Sequence, residues 1–189
     1  MAKTKQETEN LLISRIKELL NAGFHGGAWH GPSVLESVKG LTPKEASFKT
    51  ANVHTIAELI YHITSWRIFV LKRLQGDSDY QIDTEQKNFG RAPKVDSFEL
   101  ETLLMELALS QDELMNELGK KSDDFLNDMV PGSEYNYYTL IHGIIQHDLY
   151  HTGQIMILKK MAQASRAFKD DDEDISSSRY LEDDFGDVF

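Results

Sequence analysis

Apolar residues recur at steps of three and four in four separate stretches of this chain, and each stripe marks one face of a helix. The first covers roughly residues 7–22, with Leu11, Leu12, Ile16, Leu19 and Leu20 on the stripe and Gly23 as its expected stop. The second covers about 55–75 and carries Ile56, Leu59, Ile60, Ile63, Val70 and Leu74. The third begins near Asp96 or Ser97, where Glu99 stands three residues after Asp96 as a capping-box partner. Its Leu100, Leu103, Leu104, Leu107, Gln111, Leu114 and Leu118 read as a bundle seam, and Gly119 ends it. The fourth runs from about 138 or 139 to 161.

The connections are long and carry short helical turns. Gly26-Gly27 and Gly31-Pro32 punctuate residues 24–50, Pro32 opens a short helix over 33–40, and Thr42 with Glu45 caps another turn. Residues 76–95 are polar, contain Gly90 and Pro93, and read as one long connection. Pro131-Gly132 break the next. No segment alternates as a strand does and no fixed period repeats. The expected fold is an all-α four-helix bundle with long connections and short extra helical turns. Bundles of this kind place metal and cofactor sites between facing helices.

Composition narrows the function. A length of 189 residues suits one domain with an adequate core. The net charge of −11 argues against nucleic acid, since phosphate binding needs a basic footprint. Much of that charge sits in two acidic runs, 170–174 and 182–184, which read as a solvated tail over 163–189 following a bundle over 1–162. Tyr180, Leu181, Phe185, Val188 and Phe189 interrupt the acids as candidate docking residues. There is no cysteine, which excludes thiolate ligands and a protein thiol nucleophile. The N-terminal residues lack the apolar run of a signal peptide and no stretch reaches membrane-spanning length, so the expected compartment is the cytoplasm, with no membrane partner.

The chemistry lies in the histidines. His147 and His151 stand four apart in the fourth stripe, about 40° from each other around a helix, so both can face one ion. His62 lies in the second stripe, and two facing helices would bring the three rings together. Three neutral nitrogen donors suit Zn, Ni or Fe and leave coordination positions open. The alternative for each ring is a hydrogen-bonded core residue. His142 lies about 140° from His147 and should point elsewhere. His54, about 12 Å before His62 along the axis, cannot readily share its ion. Gln154 continues the ligand face one turn on, and Asp148 and Tyr150 are neighbours that would orient imidazoles or substrate. Glu58, one turn before His62, is the candidate catalytic residue, a general base, against the plainer reading of an exposed helix residue. Tyr61 and Trp66 read as packing residues rather than substrate contacts.

Three pieces carry a family resemblance: the stretch Trp29 to Ser33, the stretch Thr55 to Trp66, and the stretch His147 to Ile155, in which a histidine pair is followed by Gly153-Gln154. Over about residues 7–162 the chain resembles the DinB-like (YfiT-like) metal-dependent bundle proteins. The resemblance implies a four-helix bundle, a divalent metal held by His62, His147 and His151, and a homodimer. Many members have Arg before the Gly-Gln step where this chain has Thr152, so no role of a basic residue there carries over.

Members of that family include thiol transferases that use low-molecular-weight thiols such as bacillithiol or mycothiol, besides hydrolases and isomerases. The resemblance therefore implies a thiol S-transferase whose partners are a small thiol and an electrophile. A metal-dependent hydrolase using Glu58, or a non-catalytic stress-response module stapled by its ion, are the other readings.

Overall fold

The computed structural model describes the backbone of residues 10–91 and 94–179, and the side chains of residues 10–91 and 94–165. Its helices are, in order, α1 (Leu11–His25), α2 (Val34–Val38), α3 (Pro43–Ala46), α4 (Ile56–Leu74), α5 (Glu85–Phe89), α6 (Ser97–Leu118) and α7 (Tyr137–Arg179), with a 3-10 turn at Asp124–Asn127. The reason four of them start where they do is visible in the chain. Ser33, Thr42, Thr55 and Asp96 each accept from the backbone amide three residues on, and Glu36, Glu45, Glu58 and Glu99 answer by accepting from the capping residue's own amide. These reciprocal bonds satisfy donors that a first helical turn leaves without partners. α1 is capped from far away: Asp123 accepts from the amides of Leu12 and Ile13 at 2.9 and 2.8 Å.

Two expectations need correction. Gly23 does not stop α1, which runs on to His25 because Phe24 belongs in the core and has no exposed surface. The turn comes at Gly26, where φ is 138°. The long 76–95 connection holds one short helix, α5, started by the Thr84 hydroxyl accepting from the amide of Lys87. The last helix does not end near residue 161 but continues to Arg179, through the acidic run 170–174. The apolar tail residues from Tyr180 to Phe189 lie outside the described residues. Among the described residues there is no strand, only an isolated bridge between Met129 and Asn136, and no helix is long and apolar enough to cross a membrane.

α4 packs against α6 and α7, and α1 against the same two, which closes an all-α bundle. The core is split into two apolar clusters. One gathers Phe24, α2, α3, the first half of α4, Leu100 and Leu107 of α6, and Ile155 and Leu158 of α7. The other gathers the start of α1, Phe69 to Leu74 of α4, Leu114 and Leu118, and Tyr137 to Ile144. Burying each such side chain contributes about 1.5–3 kcal/mol. Between the clusters every long helix but α1 turns polar inside: buried His62, Thr64, Ser65 and Arg67 on α4, Ser110 and Gln111 on α6, Asp148, His151 and Thr152 on α7. The candidate site lies in this layer.

Candidate metal centre

His62 shares a face of α4 with Trp66, one turn on, while His147 and His151 stand one turn apart on α7. Packing α4 on α7 brings the three rings together. One nitrogen from each lies within 4.8 Å of the other two, and His62 Nε2 is 3.0 Å from His147 Nε2. Donors bonded to one ion at about 2.0–2.1 Å stand about 3–3.4 Å from each other, so the spacing of that pair already matches a shared ion.

Each outer ring is aimed by a fixed acceptor. His62 Nδ1 donates to the Asn88 carbonyl at 3.2 Å, and a carbonyl can only accept, so Nε2 presents its lone pair inward. His151 Nδ1 donates to Gln154 Oε1 at 2.7 Å, with the same consequence. His147 Nδ1 is buried and has no hydrogen-bond partner among the described residues. Burial pushes the His147 imidazole down to about 3, with the neighbouring His151, His62 and Arg67 charges adding to the effect. Burial likewise takes His62 down to about 4, with His151 contributing and the Asn88 hydrogen bonds opposing. His151 is also lowered, chiefly by burial. All three rings are therefore neutral at pH 7, the form that ligates a cation. A neutral, nitrogen-only donor set of two buried rings and one half-buried ring fits a divalent ion such as Zn, Ni or Fe.

α5 has a specific task here. The Asn88 carbonyl orients His62, and the Asn88 side chain accepts from Trp66 Nε1 at 3.1 Å. The Phe89 ring stacks on His62 at 4.3 Å between centroids and on His54 at 3.7 Å, so His54 belongs to a ring stack outside the triad. Gly90, at φ 77°, lies against the Tyr61 ring, where a Cβ would come within 3.2 Å. Any side chain at 90 would thus meet both an unfavourable backbone conformation and a wall.

Behind the triad, Arg67 has no exposed surface. Its guanidinium donates to Asp148 Oδ2 at 2.5 Å and to Gln111 Oε1, and it lies 4.5 Å over the Phe24 ring. Gln111 passes the connection on to the Leu20 carbonyl at 3.5 Å. One network thus ties α1, α4, α6 and α7 at the level of the histidines. Burial pushes the Asp148 carboxyl up to about 6 while Arg67 pulls it down, so it is ionised at pH 7.

The other singled-out residues fall as follows. Asp148 does not orient an imidazole; its carboxylate turns to Arg67. Tyr150 is largely exposed and meets the His151 ring edge-on at 4.9 Å. Thr152 donates to the Asp148 carbonyl at 2.7 Å within α7. His142 packs against the Tyr138 ring at a tilt and is not among the three clustered rings. Glu58 accepts from the Thr55 amide at 2.6 Å and from Lys49 at 3.2 Å. Burial raises its pKa, but the Thr55 and Lys49 bonds outweigh this and leave it below the ordinary carboxylate value. Glu58 lines a cleft of about 290 Å³ with Tyr61, Phe89 and Phe98 that does not include the triad. A second cleft of about 290 Å³, lined by Trp66, Val70, Tyr135, Leu140 and Ile144, does include His147.

Arg67, Asn88 and Phe89 escaped the reading of the sequence. For Arg67 a clue was present: it falls on the α4 stripe with Ile60, Ile63 and Val70, and a charge on an apolar stripe calls for a buried partner. Asn88 and Phe89 carry no such clue, because they act from a five-residue helix inside a polar connection.

No curated protein matches the chain. The sequence pattern of the DinB superfamily matches residues 29–155, a span that takes in the short helices, all of α4 and α6, and the three histidines. This all-α bundle, with its histidine triad, belongs to the DinB superfamily.

Proposed function

We propose that the protein is a metal-dependent enzyme that transfers a low-molecular-weight thiol to an electrophile. The observation that carries this reading is that His147 belongs at once to the three-histidine cluster and to the wall of an apolar cleft. A bound divalent ion would supply a Lewis acid that lowers the pKa of a thiol or a water. His62, His147 and His151 would hold it, with Asn88 and Gln154 fixing two of the rings. Three protein donors leave a coordination position for a substrate, whereas a structural site is usually closed by four. The chain supplies no thiol of its own, so the sulfur must come with a substrate. Trp66 and its apolar neighbours would keep water from the electrophile and hold it beside the triad.

The test is turnover of a chlorodinitroarene with several small thiols, by protein loaded in turn with Zn, Ni and Fe. In the reaction the thiol sulfur bonds to the ring carbon, the carbon–chlorine bond breaks, chloride leaves, and the thiol proton passes to solvent. Turnover is expected to need both metal and thiol. Its pH profile should rise with an apparent pKa well below the free-thiol value of about 8.5. Glu58→Gln should change kcat little, since that carboxylate is occupied as a helix cap. Metal-dependent cleavage of an ester or amide with no thiol present, and its loss in Glu58→Gln, would replace this reading by a hydrolase. Stoichiometric metal without turnover of either kind would leave the ion as a staple.

The same reading includes a homodimer. Leu12 and Leu19 lie seven residues apart on one exposed face of α1 and offer apolar contact. Light scattering should give a dimer, and a monomer throughout the micromolar range would contradict it.

A further inference from the structure

The cleft beside His147 contains no charged side chain. Two of its donors are also spoken for. Trp66 Nε1 is given to Asn88, and the Thr139 hydroxyl donates to Asn136 Oδ1 at 2.9 Å. An ionised group entering here would lose its water and find no counter-charge, which is costly. An apolar group loses nothing, and the Trp66 and Tyr135 rings suit a flat aromatic partner.

Gly143 adds an independent observation. It lies inside α7 and lines the cleft. It is not among the glycines with positive φ, and a Cβ built there meets nothing within 4 Å. Neither backbone conformation nor close helix packing calls for glycine, although glycine inside a helix costs about 1 kcal/mol relative to alanine. Gly143 is itself exposed, and because it lines the cleft a side chain there would take up part of its space.

We propose that this cleft is the acceptor subsite, that it takes a neutral aromatic group of the electrophile, and that Gly143 sets the size of the group admitted. In the metal-free protein the same lining disfavours cationic and anionic groups alike. The proposal names the substrate class for the enzymatic reading above and rests on it for the word acceptor. Occupancy of the cleft by a neutral ring can be measured without metal, thiol or turnover.

The experiment uses the full chain carrying Trp29→Phe, because Trp29 is fully exposed and its removal leaves Trp66 as the single tryptophan. Trp66 fluorescence is titrated with toluene, benzoate and benzylammonium on metal-free protein. Toluene should give a saturable change, and the two charged analogues should bind at least about tenfold more weakly. Gly143→Leu should weaken toluene by about tenfold or more, the scale of a misfit of one or two methylenes in an apolar pocket. Gly143→Ala should melt no lower than the parent and should discriminate against 1-methylnaphthalene relative to toluene. This second variant keeps the proposal exposed to refutation even if the leucine protein fails to fold. Charged analogues binding as well as toluene, or no saturable response to toluene, would overturn it. So would ring-size selectivity unchanged in Gly143→Ala. A toluene response that disappears as protein concentration is raised would assign the cleft to a second copy of the chain, and would also overturn it. Thiol transfer failing while toluene binds as described would sink the enzymatic reading and leave the neutral-ring site standing.

Discussion

Asp148→Ala is expected to destabilise the protein by about 3–5 kcal/mol, the range found when one partner of a buried ion pair is removed. The expectation follows from what is left behind. Arg67 would remain wholly buried, with Gln111 as its remaining hydrogen-bond partner, and a guanidinium does not shed its proton. Arg67→Met should cost less. Methionine keeps much of the stem volume, and Asp148 can take up a proton, since burial already holds its pKa up at about 6. Replacing both residues by apolar ones of matching volume should recover most of the loss, because the desolvation of two charges disappears together with their attraction. Urea unfolding at pH 7 distinguishes these cases through the midpoint, provided the slope is unchanged. A loss under about 1 kcal/mol for Asp148→Ala, the scale of an exposed pair, would show that water reaches this network.

The second large effect concerns the ion. His147→Ala should abolish stoichiometric binding of a divalent metal, measured by elemental analysis after dialysis, while His142→Ala should leave it intact. His147 meets both other rings closely: its Nε2 stands 3.0 Å from that of His62, and its centroid lies 4.4 Å from that of His151. His142 is engaged with Tyr138 instead. Gln154→Ala should bind metal about 10–100-fold more weakly without losing it, because it removes the acceptor that aims His151 and not a ligand. Full metal content in His147→Ala would refute the assignment of the three ligands.

Much of this protein is legible in its chain because the relevant physics is local. Capping boxes are satisfied within four residues, so the starts of α3 and α6 were read from Thr42 and Asp96, while α2 begins at the Ser33 box rather than at Pro32. Helical periodicity is local too. It put His147 and His151 on one face, set His142 on another, and placed Gln154 on the face of the histidine pair, where it meets His151. The stop at Gly23 failed because a local weakness in helix propensity was overruled by the burial of Phe24.

What the chain alone determined is therefore an all-α bundle with a histidine pair on one helix and a third histidine facing from another. Only the tertiary structure decided that the three rings meet. The meeting depends on the packing of α4 against α7 and on a network joining residues 67, 111 and 148, none of them near the others in sequence. It also decided which neighbours serve the site. Asp148, adjacent to His147 in the chain, turns away to Arg67, while Asn88, from a long polar connection, aims His62. Residues adjacent on a helix point about 100° apart, so sequence neighbourhood is a poor guide to a shared site. The partner of a buried polar group is whichever group the packed helices bring within hydrogen-bond reach.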